Sequence, residues 1–187
     1  MQKSIISSLA LAATFGASAA LAQDAGQWAG YYAGLSYNNG SADQTYDDGG
    51  EFELEGDAVG VMAGYNYATG LWVVGVELAY SQLEIGQAGS NFNFEYFLDV
   101  KGRAGYAIDN VLFYGTLGGT LTKWNESGDS FNGNGTNYGV GVDYLVAPQV
   151  IVGAEYVRRD VTADWADDGS TFDADVDTYS LRVSYKF

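Results

Sequence analysis

The chain contains no cysteine and no histidine, one proline, and only eight lysines and arginines against 24 acidic residues, a formal net charge of −16. Each shortage excludes something. Without cysteine there is no disulfide framework, iron–sulfur cluster or thiolate zinc site. Without histidine, Ser-His-Asp hydrolysis and the usual metal-ligand sets fall away. The deficit of positive charge argues against nucleic acid, whose phosphates are held by Lys and Arg. What is abundant is glycine (26) and tyrosine (15) in 187 residues, a length suited to one domain. Together with valine, that usage signals many strands and few helices.

Residues 1–22 read as a cleaved secretory signal. Lys3 gives a positive start, Ile5 through Ala20 is apolar or small, and Ala20-Leu21-Ala22 supplies a small-x-small cleavage site. The exported chain then comprises residues 23–187. No segment of it holds about 20 apolar residues without charge, as a membrane-spanning helix requires.

Instead, apolar and polar residues alternate with period two in eight places. One face carries Tyr31, Ala33, Leu35 and Tyr37, then Val59 to Tyr67, Trp72 to Tyr80, and Phe94 to Tyr106 at alternate positions. It continues through Val111 to Leu121, Tyr138 to Tyr144, Val150 to Tyr156 and Tyr179 to Phe187. Short turns at Ala68-Thr69-Gly70, Ala107 to Asn110 and Ala147-Pro148-Gln149 alternate with long polar loops at 38–55, 82–91, 123–137 and 160–175. All the long connections therefore leave at one end, as in a transmembrane barrel with short periplasmic turns and longer extracellular loops.

Alternation alone does not separate a membrane barrel from a soluble sandwich. Two features do. Tyr37, Tyr65, Tyr67, Trp72, Tyr80, Tyr106, Tyr138, Tyr144, Tyr156, Tyr185 and Phe187 gather at strand ends, where aromatic girdles meet lipid interfaces. Charge falls opposite the apolar face: Glu77, Asp99, Lys101, Arg103, Asp143, Glu155 and Arg182. The expected fold is an all-β, eight-stranded antiparallel up-and-down transmembrane β-barrel with these charges in its lumen.

The segments Trp28-Ala29-Gly30-Tyr31-Tyr32-Ala33-Gly34, Gly75-Val76-Glu77, Lys101 to Tyr106, Gly141 to Tyr144, Ala154-Glu155-Tyr156 and Tyr179 to Phe187 carry a resemblance. In order and spacing the chain resembles the small eight-stranded outer-membrane proteins, OmpA/OmpX-like and opacity-protein-like surface antigens of the "porin family" kind. The resemblance implies an integral protein of the outer membrane of a Gram-negative bacterium. It also implies that Tyr179, Leu181, Val183, Tyr185 and Phe187 form an assembly signal. That signal would be read by the outer-membrane assembly machinery after periplasmic chaperones deliver the chain, through strand-edge pairing.

An eight-stranded lumen is only wide enough for side chains to fill, and a charge there needs a partner. The expected ion pairs are Glu77–Lys101 and Glu155–Arg182, with Asp99 and Arg103 joining one network. The narrow width favours a packed polar plug over an ion gate. Most remaining acid sits in the first and last loops, including Asp43, Asp47, Asp48, Glu51, Glu53 and Glu55, and then Asp160, Asp164, Asp167, Asp168, Asp173 and Asp175. Such a rim repels lipopolysaccharide unless divalent cations bridge the two. Asp173 to Asp177 lacks the glycine and terminal Glu of an EF-hand loop, so the acids read as solvated. No cofactor, metal or catalytic set is expected. The functional expectation is a structural surface antigen that presents acidic loops, with adhesion as one use. A narrow diffusion channel and a lipid-modifying enzyme are the alternatives; the missing histidine counts against the enzyme.

Overall fold

The computed structural model describes residues 25–45, 51–83, 92–126, 129–164 and 171–187. The expected signal at 1–22 and the acids Asp47, Asp48, Asp167 and Asp168 lie outside the described residues. A single 3-10 turn, Ala25–Trp28, precedes β1 (Gly30–Thr45), β2 (Glu51–Thr69), β3 (Trp72–Leu83) and β4 (Phe92–Ile108). Then follow β5 (Val111–Glu126), β6 (Asp129–Ala147), β7 (Val150–Asp164) and β8 (Thr171–Lys186). Every strand pairs antiparallel with its sequence neighbours, and β8 returns to β1, from Tyr32 opposite Lys186 to Asp43 opposite Asp175. Closure removes the unpaired edge that an open sheet would present.

Period-two alternation becomes an inside and an outside. Val61, Val76, Leu117, Val140, Leu181 and Val183 stand on the outer wall, with Leu117 69% and Leu181 67% exposed. In water a continuous apolar surface of this kind would drive association. Against hydrocarbon it is the stable arrangement, because the closed ladder pairs the backbone groups of neighbouring strands all the way round. Tyr31 against Tyr65 (4.8 Å between centroids), Trp72 against Tyr106 (5.3 Å) and Tyr185 against Phe187 (5.2 Å) form one girdle. Tyr80 against Tyr96 (5.6 Å) and Tyr156 against Tyr179 (5.1 Å) form the other. From Trp72 to Tyr80, β3 runs roughly 26 Å along its own axis, or about 20 Å across the bilayer at typical barrel tilt.

The short turns, at Gly70-Leu71, Asp109-Asn110 and Pro148-Gln149, share one end of the barrel. Three of the long polar spans at the other end, 38–55, 123–137 and 160–175, differ from expectation, because most of their length is strand. The β1–β2 ladder continues past Asn38 to Thr45 opposite Glu51, β5–β6 to Glu126 opposite Asp129, and β7–β8 to Asp164 opposite Thr171. Backbone groups keep pairing in a hairpin whatever the side chains are. Once the outer face leaves lipid it becomes polar, so the alternation that marks a strand fades while the ladder persists.

Candidate functional site: the barrel lumen

The seven charged residues expected in the lumen all point inward and are buried, none more than 7% exposed. They divide into two layers. In the lower layer Glu77 and Lys101 face each other directly across β3 and β4, with Lys101 Nζ 2.8 Å from Glu77 Oε1. The same ammonium donates to Glu155 Oε1 at 2.6 Å. Arg182 spans the lumen, giving one guanidinium nitrogen to Glu77 and another to Glu155. Arg103 Nη2 donates to Asp143 Oδ2 at 2.7 Å, and its Nη1 lies 3.6 Å from Glu77. Each carboxylate thus meets at least one cation, as a charge away from bulk water requires.

Two inward tyrosines knit this layer together. Tyr32 donates to Glu77 Oε2 at 2.7 Å and accepts from Arg103 Nη1 at 3.0 Å. Tyr114 donates to Glu155 Oε2 at 3.1 Å, while the Arg103 guanidinium sits 3.9 Å from the centre of its ring. At that distance a cation is attracted to the face of the π-system. The abundant glycine acquires a purpose here. Tyr32 lies opposite Gly64, and Tyr114 lies between Gly105 and Gly141 on the flanking strands. A Cβ on Gly141 would fall 2.3 Å from the Tyr114 ring, and one on Gly64 would fall 2.5 Å from Tyr32. Large inward side chains lie flat over neighbours that have none, which is how a narrow barrel accommodates them.

The upper layer departs from the single network expected. Asp99 does not join Arg103; it pairs with Arg159, whose Nη2 donates to Asp99 Oδ2 at 2.7 Å. Asp99 stands two residues before Lys101 in β4, one inward position nearer the long-connection end. Thr120 donates to Asp99 at 2.7 Å, Asn137 donates to Thr120 at 2.9 Å, and Arg159 Nη1 donates to Thr178 at 2.8 Å. The Arg159 guanidinium also rests 5.0 Å from the Phe97 ring centre. Sequence reasoning missed Arg159 because its strand seemed to end near Val157. Parity would have found it, since Gly153, Glu155, Val157 and Arg159 share a face.

Four acids and four bases therefore fill the lumen among the described residues: Glu77, Asp99, Asp143 and Glu155 against Lys101, Arg103, Arg159 and Arg182. The lumen is formally neutral, and the net charge of −16 belongs to the rest of the chain. Between the layers, among Ser36, Met62, Ala79, Ser81 and the ion pairs, lies a cavity of about 20 Å³; a second of about 10 Å³ sits by Asn38, Phe97 and Arg159. The larger has room for about one water molecule. Toward the short turns the lumen ends in an apolar floor of Trp28, Val73, Ala107, Leu112, Leu145 and Ile151.

Beyond the second girdle the outer surface turns acidic. Arg158 is held there by Asp175 at 2.5 Å, Asp177 at 3.5 Å and Asp160 at 3.6 Å. The neighbouring Asp175 and Asp177 carboxylates raise its pKa above the ordinary arginine value. Asn39 donates to Asp57 at 3.0 Å. Among the described residues, no group of three or more acids is arranged to hold a metal ion. On β8, Tyr179, Leu181, Val183 and Tyr185 face outward, as does Phe187 just past its end, and the Phe187 amide donates to the Tyr31 carbonyl at 2.9 Å, beside the seam with β1.

The family described as outer membrane protein beta-barrel domain matches residues 8–187. A 22 kDa outer membrane protein of Rhizobium leguminosarum bv. viciae is 31% identical over 171 residues, covering 85% of this chain and 77% of that protein. Among solved structures, Neisserial surface protein A superposes with a TM-score of 0.58 at 18% identity, covering 84% of this chain and 97% of that one. Ail, the attachment invasion locus protein of Yersinia pestis, gives 0.54 at 19% identity, covering 85% and 99%.

Proposed function

Since the chain belongs to the outer-membrane β-barrel domain family and is an integral protein of the outer membrane, we propose that it is a closed, non-conducting barrel that braces the membrane and presents an acidic surface outside it. One observation carries this reading: among the described residues the lumen is occupied by paired side chains, with cavities of about 20 and 10 Å³ between them. No file of water or ions fits through spaces of that size. A conduit would require breaking several buried ion pairs at once, each costing several kcal/mol.

The reading extends to partners. Girdles and apolar band provide the contact with lipid, and the acids beyond the upper girdle meet the phosphate level of lipopolysaccharide through bridging divalent cations. The outward residues Tyr179, Leu181, Val183 and Tyr185 of β8, with Phe187 after it, are the assembly signal, offered to the assembly machinery before β8 pairs with β1 and delivered to it by periplasmic chaperones. The paired lumen charges serve as structure and not as a reaction centre, and adhesion is a use open to the acidic end.

Planar-bilayer recording tests the central point. Purified protein at increasing dose should leave the bilayer silent, while a general diffusion porin in the same lipid gives steps. Reproducible steps that scale with dose would sink the closed reading and favour the narrow channel.

A further inference from the structure

The opening motif Trp28 to Gly34 has a role that a lipid-facing wall does not require. Trp28 is completely buried, in one apolar cluster with Val73 of β3, Ala107 of β4, Leu112 of β5, Leu145 of β6 and Ile151 of β7, against which Ala68 of β2 also packs. The 3-10 turn that carries it is tied across two short turns. The Ala25 amide donates to the Gly70 carbonyl at 2.8 Å, and Gln27 Nε2 donates to the Asp109 carbonyl at 2.5 Å. Gly30, at φ +123°, then swings the chain from beneath the barrel into β1, a conformation that residues with a side chain rarely adopt.

The binding place for Trp28 is therefore assembled from elements that come far later in the chain, and it does not exist until β3 to β7 stand in their ring. We propose that residues 25–30 form a latch: the segment docks after the wall has formed, seats Trp28 in the floor and locks the closed barrel from the short-turn end. The segment also neighbours β2, which anchors its backbone while the Trp28 pocket waits for the later strands, and the Ala29 carbonyl accepts from Lys186 Nζ at 3.5 Å. The latch deepens the structural reading but does not depend on whether the barrel conducts.

The test follows Trp28 fluorescence in a protein whose other tryptophans, Trp72, Trp124 and Trp165, are replaced by phenylalanine. During folding into phosphatidylcholine vesicles, two signals are timed: the heat-modifiable shift in gel mobility, which marks the closed wall, and protection of Trp28 from aqueous acrylamide. Protection that arrives after the gel shift, together with insensitivity of the folded state to brominated lipid, supports the latch. Protection before the shift, or quenching of the folded protein by either agent, overturns it. In a second arm, W28A should still reach the shifted form but unfold about a hundredfold faster in urea, as loss of a large buried ring predicts for a contact made after the transition state. W28F keeps a six-membered aromatic ring but loses the five-membered ring and an indole N–H that has no partner among the described residues; its unfolding rate should fall between wild type and W28A. An unchanged unfolding rate in W28A also overturns the proposal. If W28A fails to fold, the order of the two Trp28 signals decides alone.

Discussion

The two layers of the lumen hold charge in different ways. In the lower layer three acids and three bases share partners: Arg182 serves both Glu77 and Glu155, and Lys101 serves the same two carboxylates. In the upper layer one acid and one base face each other, and neutral groups supply the remaining hydrogen bonds through Thr120, Asn137 and Thr178. A shared network concentrates dependence on single residues, whereas a pair cushioned by hydroxyls and amides distributes it. The lower layer also lies against the apolar floor, so no water from the short-turn end can replace a missing partner there.

That contrast orders the expected effects of substitution. Arg182→Ala strips a cation from two buried carboxylates at once, and urea unfolding of the reconstituted protein should show a loss of about 3–5 kcal/mol, the range for a broken buried pair. A loss below that of the upper-layer variant would remove the proposed difference between layers. Arg159→Ala leaves Asp99 with Thr120 and Asn137 still in reach, and the loss should be about 2–3 kcal/mol. Combining Asp99→Asn with Arg159→Gln should restore most of that stability, since neither change then abandons a charge. Arg158→Ala, outside the barrel and partly solvated, should cost no more than about 1 kcal/mol, and the difference should shrink as salt is raised. A large, salt-independent cost at Arg158 would mean that the outer acids are organised as tightly as those inside.

The same contrast explains what could be read early. Glu77, Lys101, Arg103 and Arg182 stand in segments whose apolar outer face is unbroken, so period two announces both the strand and the inward side. Arg159 and Thr178 stand where the outer neighbours, Arg158, Asp160 and Asp177, are themselves charged. Both faces are polar there, and alternation carries no signal although the ladder runs on to Asp164. Tyr32 and Tyr114 were on the correct face by parity, yet their place among the ion pairs depends on glycines of other strands. Trp28 precedes the first strand, where periodicity has nothing to say about its destination.

By itself the sequence determined the number of strands, the side each residue faces in the lipid-spanning region and the end at which the short turns lie. It could do so because the lipid imposes an apolar outer face, and that constraint is written locally at every second position. Only the tertiary structure decided which inward charges meet, that they form two layers, how far the hairpins project and where Trp28 lodges. Those outcomes depend on the stagger between strands and on closure of β8 against β1, which set distances across the lumen between residues far apart in the chain.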